Sequence, residues 1–214
     1  MSAIASSAQT NQPGRYLSNK DADPKAKALL KQVKDQLKLD KGTVINFNFK
    51  YFPAEGSTTT QKGKLEIKGK KFKLDLVDQE LTSDGQTLWT YLKKRNEVQI
   101  QSALEIENDP FSPFRLLQIH DSPDFTYIMN GTSKENNVIY DIIEFKPLDH
   151  KAEFFKIKSE IDRTTKKYHK IVLYLKNGDQ YALELGAQAS QLLPDKLFTW
   201  DKNLYPGVKL EDLR

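Results

Sequence analysis

Between residues 43 and 52 the chain reads TVINFNFKYF, and its large side chains fall on every second position. Ile45, Phe47, Phe49 and Tyr51 share one face, while Val44, Asn46, Asn48 and Lys50 share the other. Successive side chains of a strand point to opposite sides, so this period of two predicts a β-strand with one apolar and one wet face. The pattern returns in GKLEIKGKKFKLDLV, where Leu65 and Ile67 are followed, past Gly69, by Phe72, Leu74 and Leu76 alternating with Lys71, Lys73 and Asp75. Asp84-Gly85 is a hairpin-turn signal, QTLWTY a strand, LKKRNE a second turn and VQIQS the next strand. DFTYIMNG, NVIYDIIEFKP, AEFFKIKSEID, KYHKIVLYLKN and QYALELGA read the same way. About ten or eleven strands at such short spacing predict a mainly β (α+β) fold, an incomplete antiparallel barrel or curved half-barrel. For residues 86–91 the period leaves open whether Leu88 and Thr90 or Trp89 and Tyr91 face inward, because a one-residue slip exchanges the faces.

Two segments break the alternation. In DADPKAKALLKQVKDQLK, Asp23 can cap a helix, Pro24 suits its first position, and Ala26, Leu29, Leu30, Val33 and Leu37 form one apolar stripe opposite a lysine face. Residues 108–121, NDPFSPFRLLQIHD, carry Phe111, Phe114, Leu116, Leu117 and Ile119 without alternation and predict a short apolar helix between strands. Helices of this kind lying on one curved sheet make two layers around a core. Residues 22–214 are therefore expected to form a single domain. Residues 1–21 are polar and aperiodic and read as a flexible lead-in. Their small-residue stretch AIASSA fits either the remnant of a signal peptide, its leader replaced by a start Met, or a disordered tail.

Composition narrows the function by exclusion. With 38% hydrophobic and 29% charged residues the chain is expected to fold, and no apolar run approaches the roughly 18 residues that span a bilayer. The net charge of +4 comes from lysines scattered along the strands, whereas a nucleic-acid binder gathers its positive charge on one face, so no nucleic-acid partner is expected. The absence of cysteine removes disulfides and thiolate chemistry. His120, His150 and His169 stand alone, without metal-ligand spacing, and no phosphate loop or nucleophile elbow occurs. Asp141 and Glu144 fall on opposite faces of one strand, and Asn130-Gly131-Thr132 reads as a glycosylation sequon or a plain turn. No catalytic residue, metal site or cofactor is expected. What remains is a large apolar supply: the concave face of such a sheet must be filled by its own side chains, by covering helices or by a ligand. A packed core and a bound lipid both fit that requirement.

The order of these pieces resembles the periplasmic lipoprotein carrier (LolA-like) family. The capped helix 23–38, the strand INFNFKYF and the block KGKLEIKGKKFKLDL are similar to family elements in the same order. LTSDGQTLWTYLKKRNEVQI is the most specific match, DPFSPFRLLQI corresponds to the helix that follows it, and KLFTWDKNLYPGVKLEDLR resembles the closing phenylalanine-containing strand, Pro-Gly-Val turn and charged tail. The resemblance implies a carrier and not an enzyme, holding lipoprotein acyl chains in a half-barrel under a helical lid as a periplasmic monomer. It implies an inner-membrane ATP-driven transporter that releases the acylated lipoprotein and an outer-membrane acceptor that receives it. It places the lipid-binding cavity at Phe47, Phe49, Tyr51, Leu65, Ile67, Phe72, Leu74 and Leu76. The lid falls at Leu29, Leu30, Val33, Leu37, Phe111, Phe114 and Leu117. One departure stands out: where the family carries a lid-latching arginine before the aromatic strand, this chain has Lys68-Gly69-Lys70-Lys71, and lysine lacks arginine's planar fork. A module of the same fold that binds another envelope lipid or glycolipid, or senses envelope stress, is the alternative.

Overall fold

The structure, a computed structural model, describes residues 22–109 and 111–214; the lead-in of residues 1–21 and its reading as a leader remnant lie outside them. Helix α1 (Pro24–Leu37) is followed by strands β1 (Thr43–Phe52), β2 (Thr59–Lys68), β3 (Lys71–Leu76), β4 (Gln79–Ser83), β5 (Thr87–Leu92) and β6 (Glu97–Ser102). Two short helices, α2 (Leu104–Asn108) and α3 (Pro113–Leu117), lead through a 3-10 turn at Ile119–Asp121 to β7 (Phe125–Glu135). Then come β8 (Val138–Pro147), β9 (Phe154–Asp162), β10 (Tyr168–Leu175), β11 (Gln180–Ser190) and β12 (Lys209–Asp212). All twelve strands belong to one sheet in the order β12-β6-β5-β4-β3-β2-β1-β11-β10-β9-β8-β7. It is antiparallel except where β12 runs parallel to β6. β7 and β12 end the order unpaired with each other, so the sheet is curved but open, the half-barrel that the alternation predicts.

Several local expectations are corrected. The described residues form twelve strands where ten or eleven are expected, because β4 and β12 carry no clear alternation. The single helix expected over 108–121 is α3 and a 3-10 turn, preceded by α2, with Pro113 at the first position of α3. Asn130-Gly131 is not a plain turn but a bulge inside β7: the register with β8 shifts between Met129 and Thr132, and Gly131 takes φ +80°. The chain reverses later, at Asn136 and Asn137, both at positive φ as a tight hairpin turn requires. Phe198 lies in a 3-10 turn (Asp195–Phe198), not in a closing strand.

Register settles the faces of the opening hairpins. Leu74 pairs with Leu81 and Leu81 with Thr90, while Phe72 pairs with Ser83 and Ser83 with Leu88. Cross-strand partners share a face, so Leu88 and Thr90 point with Phe72 and Leu74 into the concave side. Trp89 and Tyr91 point outward. On the convex side residues 191–208 run as a strap across β1–β6. Lys68 Nζ donates to the Leu193 carbonyl (3.1 Å) and pairs with Asp195 (3.0 Å), Lys71 also pairs with Asp195 (3.3 Å), and Tyr205 packs on Tyr91 (4.6 Å) and Trp200 (5.3 Å). Leu193, Phe198, Val208 and Val98 of β6 are buried outside the main core cluster, forming a second, smaller apolar layer. The two lysines hold the Asp195 carboxyl below its usual range.

α1 crosses the concave face and is fixed at both ends. At its start, the Asp23 N–H donates to the Tyr127 carbonyl (2.9 Å), and its carboxylate accepts from the N–H groups of Met129 (3.1 Å) and Lys25 (2.8 Å). Asp23 thus caps the helix and covers part of the exposed edge of β7. At the far end, the Gly69 N–H of the β2–β3 turn donates to the Leu39 carbonyl (2.6 Å), and the Thr43 hydroxyl donates to the Leu37 carbonyl. Asp23→Ala should cost about 1 kcal/mol as a lost cap, a drop of roughly 2–4 °C in melting temperature by calorimetry. The Met129 and Lys25 N–H groups hold the Asp23 carboxyl below its ordinary value. A depressed carboxylate stabilises above its unfolded pKa, so this contribution should be present at neutral pH and fade as pH falls below about 4. The variant's melting temperature should then converge on that of the parent. No helix of the described residues is long and apolar enough to cross a membrane.

Candidate functional site

The concave face is covered by α1, α3 and the turn between α3 and β7. Leu29, Leu30, Val33 and Leu37 of α1 are buried, as are Phe114 and Leu117 of α3. They pack in one cluster with Ile45, Phe47, Leu65, Ile67, Phe72 and Leu74 of the sheet. The rings of Phe72 and Phe114 lie 4.5 Å apart. Phe47 lies over Gly63, its cross-strand partner, so closely that a Cβ there would collide with the ring; glycine is the residue that lets the phenylalanine lie flat on the sheet. The proposed cavity wall and the proposed lid therefore meet as two faces of one apolar interface.

The remaining residues lie at the margin of that interface. Phe49, Leu76 and Phe111 are partly buried against the cluster. Phe111, between α2 and α3, meets the Tyr181 ring edge-on (5.1 Å), and Tyr181 also stacks on Phe49 (5.7 Å) and Tyr51 (4.8 Å). The Tyr51 hydroxyl donates to Asp179 (2.9 Å), which fixes this aromatic group to the β10–β11 turn.

Open space lies further along the same face. A cavity of about 400 Å³ separates α3 from the β7–β9 end of the sheet. Phe111, Leu116 and Ile119 wall it from the helical side; Phe125, Pro147, Ala152, Phe154 and Ile157 wall it from the sheet. Phe125 stacks on Phe154 (6.0 Å) and meets Phe145 edge-on (6.3 Å), giving this end an aromatic floor. Arg115, Asp124, Asp149 and Glu153 supply the polar lining. Arg115 Nη2 pairs with Asp124 (2.7 Å) and donates to the Ser122 hydroxyl (3.1 Å), tying α3 to the start of β7. An apolar cavity with a few polar groups, at the lower end of the roughly 300–1,000 Å³ usual for ligand sites, suits an aliphatic or aromatic ligand. Of the residues proposed from sequence, Phe111 reaches this cavity. Arg115, Phe125, Phe154 and Ile157 were not among them, although DFTYIMNG and AEFFKIKSEID alternate as clearly as β1 does.

Helix α1 is also held from its solvent side. Lys34 of α1 pairs with Asp121 of the 3-10 turn (2.8 Å), with both side chains more than half exposed. A pair so exposed contributes about 0–1 kcal/mol, so the seating of α1 rests on its apolar underside. The Gly69 N–H of the β2–β3 turn holds the Leu39 carbonyl just past the end of α1, while Lys68 and Lys71 reach the strap on the other face. Asp141 and Glu144 lie on opposite faces and are bound separately, Asp141 to Arg163 (2.5 Å) and Glu144 to Lys156 (3.5 Å). His169 stacks on Tyr140 (4.1 Å), and the His150 carbonyl accepts from Lys176 (2.8 Å).

The family model for outer membrane lipoprotein carrier protein LolA matches residues 40–201. No curated protein sequence matches the chain. Among solved structures, an uncharacterized conserved protein from Thermus thermophilus is 10% identical, with a TM-score of 0.59 over 88% of this chain and 99% of that one. A LolA superfamily protein from Nitrosomonas europaea is 13% identical, with a TM-score of 0.48 over 82% of this chain and 98% of that one. Lipoprotein LppX from Mycobacterium tuberculosis is 13% identical, with a TM-score of 0.48 over 80% and 99%. At these identities the likeness to the Thermus protein shows a shared fold.

Proposed function

Since the chain belongs to the outer membrane lipoprotein carrier protein LolA family, we propose that it carries lipoprotein acyl chains between its helical lid and its curved sheet, taking them across the periplasm from the inner to the outer membrane. The observation that supports this most is the aromatic-floored cavity of about 400 Å³, which lies beside an interface whose two sides are both apolar. Each acyl methylene taken from water gains roughly 0.8 kcal/mol. In this closed state Leu29, Leu30, Val33, Phe114 and Leu117 already occupy the face that a long chain would cover, so a ligand must displace them. The net gain is then the difference between two burials, small enough for the cargo to leave again. Phe47, Phe72 and Leu74 form the wall exposed when the lid yields, and Phe125 and Phe154 form the part that is open from the start. In this reading an inner-membrane ATP-driven transporter hands over the acylated lipoprotein, an outer-membrane acceptor takes it, and the carrier works as a monomer.

Native mass spectrometry of the protein taken from its own envelope should show a population heavier than the bare chain by an acylated species. A fluorescent acyl probe should bind the stripped protein at one site. A bare mass from the envelope together with no acyl uptake in vitro would overturn the reading.

A further inference from the structure

Between α1, the 3-10 turn and β7 lies a second cavity, of about 450 Å³, where lysine side chains border an apolar lining of Pro24, Ala28 and Leu30. Lys27, Lys31 and Lys34 line it from α1, together with His120 and Asp121 from the 3-10 turn and Tyr127 from β7. The three lysines fall at positions i, i+4 and i+7, so they project from one face of the helix. The His120 side chain is 2% exposed, yet neither of its ring nitrogens makes a well-formed hydrogen bond, the Leu117 carbonyl lying near enough only to bias its charge. An imidazole always carries at least one N–H donor, and a buried donor left unmade normally has a partner to come. Asp121 is not that partner: its Oδ2 stands 3.6 Å from Nε2 and is held by Lys34 at 2.8 Å. That pair cancels its own charge, which leaves the ammonium groups of Lys27 and Lys31, unpaired among the described residues, to set the sign of the cavity.

We propose that this cavity binds a phosphate group. Lys27 and Lys31 would supply its charge complement and His120 a buried donor. A tetrahedral anion presents acceptor oxygens in several directions at once, which matches donors arriving from the helix above and from the turn beside it. Inorganic phosphate and the phosphodiester of an anionic phospholipid share this chemistry. Burial holds the His120 imidazole below its ordinary pKa, with Lys34 pushing the same way and Asp121 and the Leu117 carbonyl opposing. The other ionisable groups facing it are Lys27 and Lys31 from α1 and Tyr127 from β7, while Tyr168 of β10 lies within electrostatic reach of Asp121. A bound anion favours the imidazolium, so binding should raise the His120 pKa from its depressed value back towards the ordinary histidine range.

The test is a histidine-detected NMR titration of the intact chain with inorganic phosphate, the His120 signal being assigned by its loss in His120→Gln. The signal should shift saturably with its pKa rising, and Lys27→Gln/Lys31→Gln, both exposed positions, should weaken binding at least about tenfold. Co-sedimentation with vesicles of equal parts phosphatidylglycerol and phosphatidylcholine, against phosphatidylcholine alone, separates the sources. Phosphate binding with charge-selective vesicle binding assigns the site to a headgroup, and phosphate binding alone assigns it to the free anion. If His120 does not respond to phosphate, or if the double variant binds it as the parent does, the site is overturned, even where vesicles bind through surface charge. None of these readouts requires an acyl ligand, so this proposal and the carrier reading fail separately.

Discussion

Ala152→Trp is expected to weaken acyl-probe uptake at least about tenfold while leaving the fold intact. Ala152 is a partly exposed residue in the β8–β9 connection, and its side chain faces the cavity under α3. An indole ring buries about 150–250 Å² and, placed there, would occupy the space next to Phe154 and Ile157. Because the cavity is open on one side, the larger side chain need not push the sheet and helices apart, which is what makes overpacking costly in closed cores. Denying burial to even two methylenes removes about 1.6 kcal/mol, a loss of roughly tenfold or more in affinity. Fluorescence titration with an acyl probe should show that loss, and the thermal melt should stay within a few degrees of the parent. Parent-like uptake by the variant would show that the acyl chain goes elsewhere.

Phe198→Ala should do the opposite: it should destabilise the fold and leave uptake alone. Phe198 is fully buried in the strap on the convex face, outside the cluster that contains the lid. Truncating a buried phenylalanine costs about 3–5 kcal/mol, which at roughly 2–4 °C per kcal/mol lowers the melting temperature by about 6–20 °C. Below that transition the concave face is untouched, so the acyl probe should bind with the parent's affinity. A variant that loses uptake while still folded would mean that the strap and the lid are mechanically coupled.

Much of the fold is legible in the chain. The alternation of Phe47 and Phe49, or of Phe72 and Leu74, and the stripe from Ala26 to Leu37 place the concave face and the helix that lies on it. β4 shows why other parts are not. Leu81, Thr82 and Ser83 are all buried, because β4 has the core on one side and the strap on the other. A strand covered on both faces loses the alternation by which it would be recognised. The strap itself is unreadable for a related reason: Leu193 sits in irregular backbone and Phe198 in a single 3-10 turn too short to show a period. The cavity is hidden at a further level. Local pattern tells which side chains face inward, but the gap beside Phe125 and Phe154 depends on how far α3 stands from the sheet. That distance is set by Pro113, by Arg115 gripping Asp124, and by Phe111 resting on Tyr181.

The order in which α1 and its supports appear along the chain has a consequence for assembly. The helix is complete by residue 37, yet the strand that receives its first turn, β7, begins at Phe125, and the seam between β1 and β11 joins Thr43 to Ser190. Contacts so distant in sequence form late and slowly, because the loop must close before the pairing rewards it. A chain emerging from its N-terminus therefore exposes the apolar stripe of α1 long before β7 and β11 exist to cover it. A helix made so long before its seat needs a temporary partner until those strands arrive.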